Sequence, residues 1–244
     1  YKDTKPYEDW FWEKNRIDLV RGYVSNIDFD NQTLNFEDNR TLKYDKLVLA
    51  TGSTPNKFGW PGQDLDGVQG LYSFQDLELL EKNTQKNNVN RAVIVGGGLI
   101  GVELAEMLLY KGIKVTFLVR EDRFWGGVLP KEEGEIIANH MIKDHHIDLR
   151  LVEELDEIIS DENGRVKEIK TKNGETISCE LVGLTAGVSP NVKFLKETKL
   201  EIGRGIKVNK YLETNIQNVY AIGDCAEVQE TVENRRPIEA VWYV

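Results

Sequence analysis

The sequence predicts a layered α/β fold made of two copies of one domain plan, and three observations predict it. Residues 91–120 read as strand, glycine turn, helix and strand in immediate succession. Residues 44–56 and 179–191 form a gapless internal repeat. A further apolar strand, ending at Ile222, delivers Gly223 and Asp224 at its carboxyl end.

The first observation organises the rest. Ala92-Val93-Ile94-Val95 is the short apolar run of a buried strand. Gly96-Gly97-Gly98-Leu99-Ile100-Gly101 then fits Gly-x-Gly-x-x-Gly. Residues 102–111 place Val102, Ala105, Leu108 and Leu109 on one helical face before Gly112 ends the helix. The second strand is Lys114-Val115-Thr116-Phe117-Leu118-Val119. A βαβ unit so built is the Rossmann-like unit that binds a dinucleotide. Gly96 permits the tight turn out of the strand, Gly98 lets the backbone approach a pyrophosphate, and Gly101 lets the helix lie close on the strand. The free N–H groups of the first turn, at Leu99 and Ile100, face the phosphates together with the positive end of the helix dipole.

The remaining elements follow in order. Residues 1–16 mix Tyr7, Trp10, Phe11 and Trp12 with charged neighbours, which predicts a short amphipathic helix docked on the body, with an aromatic substrate platform as the less favoured alternative. From Ile17 the texture is β, with runs at 18–29, 33–36 and 40–42 separated by Asp30-Asn31 and Asp38-Asn39. A strand at 47–50 ends at Thr51-Gly52-Ser53, and the Pro/Gly-rich stretch 55–70 reads as a linker or interface loop. A helix over 73–81 starts on a serine cap. Beyond the central unit, 121–127 is a loop. Residues 131–143 form a helix with Ile136, Ile137, His140 and Met141 on its inner face. Strands at 147–152, 155–159, 166–171, 176–179 and 181–184 follow, with turns at Glu162-Asn163-Gly164 and Asn173-Gly174, and the last runs to Ala186-Gly187. Residues 193–199 are helix-like, 205–208 a short strand, and 219–222 the final strand.

The repeat sets YDKLVLATGSTPN over CELVGLTAGVSPN at a constant offset of 135 residues. Each copy follows a β-meander and ends its buried strand in a glycine and then a proline, at Gly52 and Gly187. In the second copy the glycine fingerprint precedes that glycine by 91 residues. The same distance before Gly52 falls about 40 residues upstream of Tyr1, so a first fingerprint is expected outside this chain, which is expected to be a piece of a larger protein.

Composition narrows the function. The 244 residues are 40% hydrophobic and 30% charged, an ordinary globular mix long enough for two modest domains. The net charge of -10 and a pI near 5.0 argue against nucleic acid. No apolar run is long enough for a transmembrane helix, so no membrane partner is expected. Cys179 and Cys225 are too few for a disulfide framework, which suits a reducing, cytoplasmic compartment. Both read as small buried residues. His140, His145 and His146 lack a metal-ligand spacing with them, so no metal site is expected and His140 reads as a packed histidine. No Gly-x-Ser-x-Gly elbow and no Gly-Lys-Ser/Thr ending appear, so hydrolase and NTPase chemistry are unsupported.

Four motifs thus stand in order: Tyr44-Asp45 through Thr51-Gly52-Ser53, Gly96 to Glu103, Gly187 through Asn191, and Tyr220-Ala221-Ile222-Gly223-Asp224. The chain resembles the FAD-dependent pyridine nucleotide–disulfide oxidoreductase superfamily from about Ile17 onward. Within it, rubredoxin and ferredoxin reductases, NADH oxidases and the flavin part of nitrite reductases are most similar. The resemblance implies two Rossmann-like three-layer dinucleotide-binding domains. An NAD(P) domain, 75–191, is inserted in an FAD domain, 1–74 and 192–244, whose amino-terminal fingerprint and following interface domain lie outside the chain. It implies that Asp224, with Gly223, contacts the flavin's ribityl chain, that Thr51 and Gly52 pass the FAD, and that Glu103 lies beside the nicotinamide. From the residues alone, Asp224 is placed either to bind a ribityl or ribose hydroxyl or to cap a following helix, and the two are compatible. The family's redox cysteine pair would fall outside the chain.

The implied activity is hydride transfer from NAD(P)H to FAD and then to an acceptor: a small electron-transfer protein, oxygen or a nitrite-reductase centre. The residues carrying catalysis are not identified. The alternative is a non-catalytic NAD(P)/FAD-binding redox sensor or apoptosis-factor-like flavoprotein. The paired motifs at Thr51 and Asp224 favour the enzyme. A homodimer of the whole protein is a further expectation. For the nucleotide, Val119 stands where NADH enzymes place an acid, while Arg120 and Arg123 suit a 2′-phosphate, so NADPH is favoured, although Glu121 and Asp122 lie between them.

Overall fold

Alternation along the strand Arg91–Val95 sets the architecture around it. Ala92 and Ile94 belong to one buried cluster, Val93 and Val95 to another, as a period of two requires. This computed structural model describes residues 7–86, 89–229 and 235–237. They fall into two units, Pro55–Val188 and Tyr1–Thr54 with Ser189–Val244. The chain passes between the two units at 54/55 and 188/189.

In the unit Pro55–Val188, five parallel strands stand in the order Val68–Gln69, Leu181–Leu184, Arg91–Val95, Lys114–Val119, Asp148–Leu151. The fingerprint strand is central. Helices Phe74–Lys86, Leu99–Tyr110 and Lys131–Lys143 send Leu80, Leu104, Leu108 and Met141 into the cluster with Ala92, Ile94 and Phe117. An antiparallel sheet, Leu155–Ser160, Val166–Thr171 and Thr176–Ser178, sends Leu155, Ile158, Ile169 and Ile177 against Val93, Val95 and Leu118. The unit is therefore three-layered, helices, parallel sheet and antiparallel sheet. Each fully buried Leu or Phe in it contributes about 1.5–3 kcal/mol.

In the unit Tyr1–Thr54 with Ser189–Val244, a meander of Val24–Asp28, Thr33–Phe36 and Thr41–Lys43 precedes the strand Leu47–Leu49. Leu47–Leu49 pairs in parallel with Val219–Ala221. Ile206–Val208 pairs in parallel with Ala226–Gln229, which is flanked by Arg235–Pro237. Ile27, Leu49, Leu195, Ile206, Val219, Ala221 and Cys225 form the core.

Several expectations change. Residues 18–23 form no strand, and Leu19, Val20 and Tyr23 are exposed: the apolar character is there but no ladder partner is. The aromatic helix forms over Asp9–Lys14 but buries none of its residues, because Tyr7, Phe11 and Trp12 stack on one another instead. The stretch 55–70 is more than a loop, since Val68–Gln69 adds an edge strand to the parallel sheet. Residues 193–199 reduce to one 3-10 turn, Lys193–Leu195. His140 and Ile136 are exposed: the inner stripe of Lys131–Lys143 runs through Gly134, Ile137, Ala138 and Met141, and His140 lies beside it on the solvent side. No helix among the described residues is long and apolar enough to cross a membrane.

Candidate functional site

The candidate site residues fall into two sets, one in each unit. The first is built on the strand Arg91–Val95. Gly96 leaves it at φ +106, and a Cβ there would stand 2.7 Å from the Thr185 carbonyl oxygen, so only glycine fits. Thr185, on the neighbouring chain segment, ties this turn down: its N–H donates to the Val95 carbonyl at 2.9 Å, and its hydroxyl lies 3.1 and 3.0 Å from the carbonyls of Val95 and Gly96. Gly101 allows the close approach expected of it, since a Cβ would lie 2.6 Å from the Gly96 carbonyl.

Gly98 occupies the N-cap of the helix Leu99–Tyr110 with an extended backbone and no side-chain cap. A Cβ on Gly98 would meet nothing within 4 Å, so that face of the turn is open. The uncapped N–H groups of the first turn and the helix dipole make this end attractive to anions.

The turn opens into a cleft of about 710 Å³, a volume suited to a nucleotide-sized ligand. Gly96, Gly97, Gly98 and Gly187 form its floor with Val119, and Phe58, Trp60 and Trp125 supply aromatic walls. Arg120 and Glu121 line it and pair with each other at 3.0 Å; Lys172 and Glu154 do likewise at 2.9 Å. Both pairs are well exposed, so they are screened and easily exchanged for a ligand's charges. Arg123 does not line the cleft: its guanidinium donates to the Gly126 carbonyl at 2.9 Å. Ile100 lies in the helix's first turn, and Glu103 is exposed one turn along, outside the cleft lining. Sequence reasoning missed Lys172, Phe58, Trp60, Trp125 and Thr185. No motif marks them: Phe58 and Trp60 lie in the Pro/Gly-rich stretch 55–70, Trp125 in the loop 121–127, and Lys172 beside the Asn173-Gly174 turn.

The second set sits where Leu47–Leu49 and Val219–Ala221 end side by side. Their parallel register, Leu49 opposite Ala221, brings Thr51, Gly52, Gly223 and Asp224 to one sheet end. That is the end at which open α/β sheets bind ligands. The Asp224 carboxylate accepts the Ser53 hydroxyl at 2.9 Å. Asp224 lies within the 3-10 turn Gly223–Cys225, not at its N-cap, which is Ile222, so the capping alternative does not apply. Thr51 donates its hydroxyl to the Asn191 carbonyl at 2.8 Å, and Asn191 returns its N–H to Gly52 at 2.9 Å. At the repeat-related position the Asn56 N–H donates to Gly187 at 3.0 Å. Gly52 and Gly187 both have positive φ, +64 and +83, so the repeat is one turn built twice.

Both cysteines are buried. Burial pushes the Cys179 thiol up to about 12, with the Glu180 carboxylate adding to it. Among the described residues no group of three or more His, Cys, Asp or Glu side chains is arranged to hold a metal.

These arrangements have parallels in known proteins. Residues 8–239 match the model of the family described as pyridine nucleotide-disulphide oxidoreductase. The nitrite reductase [NAD(P)H] of Bacillus subtilis (strain 168) is 33% identical over 221 residues, covering 90% of this chain and 27% of the relative. The crystal structure of a ferredoxin reductase from Rhodopseudomonas palustris superposes with a TM-score of 0.90 at 26% identity, over 97% of this chain and 58% of that one. An engineered water-forming NADPH oxidase, a mutant of the Lactobacillus brevis NADH oxidase bound to NADPH, superposes with a TM-score of 0.84 at 25% identity, over 96% of this chain and 53% of that one. The chain thus spans between about a quarter and three-fifths of the length of these proteins. It belongs to the pyridine nucleotide-disulphide oxidoreductase family.

Proposed function

We propose that the protein to which this chain belongs is an FAD-dependent NAD(P)H oxidoreductase, and that NADPH is its preferred donor. The observation that carries the reading is the fingerprint turn. Gly96 is fixed by Thr185, Gly98 is open, and both face a nucleotide-sized cleft with Arg120 at its edge.

In this reading the unit Pro55–Val188 is the NAD(P) unit. The N–H groups at Gly98, Leu99, Ile100 and Gly101 receive the pyrophosphate. Gly187 and Gly96 keep the floor low, and Glu103, one helical turn beyond the cleft lining, is left for the nicotinamide end that extends past it. Arg120 exchanges Glu121 for a 2′-phosphate, a charged and bidentate contact. Val119 leaves the strand end without the carboxylate that would repel it. The engineered NADPH oxidase supports this choice, since its substitutions exchange an adjacent Asp-Ala pair for Ala-Arg, and Val119-Arg120 has the same character. Arg123 holds the loop through Gly126 and contributes shape to it rather than charge to the ligand.

The other unit contributes to the flavin site. Asp224, held by Ser53, accepts a ribityl hydroxyl, while Gly223 leaves room for the chain of the ligand beside the Thr51-Gly52 turn. FAD, when bound, supplies hydride acceptance and onward electron transfer. A small electron-transfer protein is the proposed acceptor, in line with the ferredoxin reductase likeness. Steady-state oxidation of NADPH and of NADH by the full-length protein, with ferricyanide as acceptor, tests the reading. It predicts turnover with both and a kcat/KM at least about tenfold higher for NADPH. Absence of turnover with either nucleotide contradicts it.

A further inference from the structure

His140 and His145 bring two imidazole nitrogens face to face on the surface of the unit Pro55–Val188, away from the cleft. The helix Lys131–Lys143 ends at Asp144, whose N–H donates to the His140 carbonyl at 3.0 Å. The chain then reverses through His146 at φ +54, and the Ile147 N–H bonds to the Met141 carbonyl at 3.1 Å. That reversal lays the His145 ring against His140, with the ring planes at 89°.

The polar atoms are arranged in sequence. The Asp144 carboxylate lies 2.6 Å from His140 Nδ1, and His140 Nε2 lies 3.1 Å from His145 Nε2. A carboxylate at that distance selects the tautomer that carries its proton on Nδ1. The Nε2 lone pair of His140 is then directed at His145 Nε2. Without a metal the contact is an N–H···N hydrogen bond with the proton on His145 Nε2, and a metal ion that displaces that proton takes the lone pairs of both nitrogens. Imidazole–metal bonds of about 2.0–2.1 Å at angles of about 90–109° separate adjacent ligand nitrogens by about 2.8–3.4 Å. The observed separation lies within that span. A carboxylate behind one imidazole is also the usual outer support of a metal-bound histidine.

We propose that His140 and His145 form a surface site for a divalent late first-row transition metal, with Asp144 orienting His140. No group of three or more ligating side chains occurs there among the described residues, so water completes the coordination. Imidazole donors and the general affinity order make Cu²⁺ the tightest occupant. The bound metal ties the last turn of the helix, anchored in the core by Met141, to the segment entering the strand Asp148–Leu151. It therefore raises thermal stability in proportion to its affinity.

The test is calorimetric titration of CuCl₂ into the full-length protein, without an affinity tag, alongside the variants His140→Ala, His145→Ala, Asp144→Asn and His146→Ala. Because the three histidines of this chain are His140, His145 and His146, these replacements cover them all. The wild-type protein is expected to bind one more equivalent of Cu²⁺ than the His140→Ala/His145→Ala double variant. Each single loss of His140 or His145 is expected to weaken that equivalent at least about tenfold, and Asp144→Asn about tenfold. Electron paramagnetic resonance of that equivalent is expected to show two nitrogen ligands, and copper is expected to raise the melting temperature of the wild type more than that of His145→Ala. His146→Ala should behave as wild type. Equal copper binding by wild type and the double variant overturns the proposal and leaves the pair as two imidazoles sharing a proton. So does loss of binding in His146→Ala with retention in His145→Ala.

Discussion

Ser53 donates its hydroxyl to the Asp224 carboxylate at 2.9 Å, joining residues 171 positions apart in sequence. The contact exists because Leu47–Leu49 and Val219–Ala221 run in parallel and end together, so the residues that follow them share one sheet end. Ser53 is buried, and a hydrogen bond to a charged group contributes about 1.5–3 kcal/mol. Ser53→Ala is therefore expected to weaken FAD retention by the full-length protein about tenfold, and Asp224→Ala by more. Flavin release followed by fluorescence during dialysis measures both. Unchanged retention in both variants would remove Asp224 from the flavin site.

Gly96 and Gly98 separate folding from binding. At Gly96 the φ of +106 and the Thr185 carbonyl 2.7 Å from a Cβ make Gly96→Ala destabilising by about 1–3 kcal/mol from backbone strain alone. At Gly98 a methyl has open space, so Gly98→Ala should melt with the wild type while its nucleotide affinity falls. Thermal melts paired with NADP⁺ titrations distinguish the two. A Gly98→Ala protein that binds as wild type would place the phosphates elsewhere.

Arg120 carries the nucleotide preference. Replacing it by Ala removes a charged contact to the 2′-phosphate, and kcat/KM for NADPH is expected to fall about tenfold or more while that for NADH changes little. The exposed Arg120–Glu121 pair itself contributes at most about 1 kcal/mol, so stability should not move. An equal loss with both nucleotides would assign Arg120 to structure instead.

The Cys179 thiol is pushed up to about 12 because it is buried in the apolar layer with Val93 and Ile169. Only the thiolate reacts rapidly with thiol reagents. At pH 8 the native protein is thus expected to leave Cys179 unmodified by a disulfide reagent, with modification appearing on unfolding. In the linkage sense the folded state favours the protonated thiol. Its contribution is complete below the ordinary value of 9.0 and lost as pH rises through 9.0 toward 12. Rapid labelling of Cys179 in the native protein would show that the layer is open.

Local signals made the central unit readable. The strands Lys114–Val119, Val166–Thr171 and Leu181–Leu184 and the helix Lys131–Lys143 match their expected bounds, because apolar periodicity and flanking glycine or turn residues agree there. The failures are non-local. Leu19 and Val20 carry strand-like character, but nothing in a sequence window reveals that no partner strand lies beside them. Val68–Gln69 looked like part of a Pro/Gly crossing because a two-residue edge strand has no period to detect. His140 was one residue from the true inner stripe, and a shift of one residue turns a helical side chain by about 100°. In the cleft, the glycine fingerprint was legible as a motif. Lys172, Phe58 and Trp60 reach it only through the register of the antiparallel sheet and the packing of 55–70, which no motif encodes.

The most direct test of the central claim is an absorbance spectrum of the full-length protein followed by anaerobic titration with NADPH and then, on a fresh sample, NADH. The account predicts a yellow protein whose flavin band near 450 nm bleaches with either nucleotide, faster with NADPH. A colourless protein that FAD cannot reconstitute, or a yellow one whose band neither nucleotide bleaches, would contradict it.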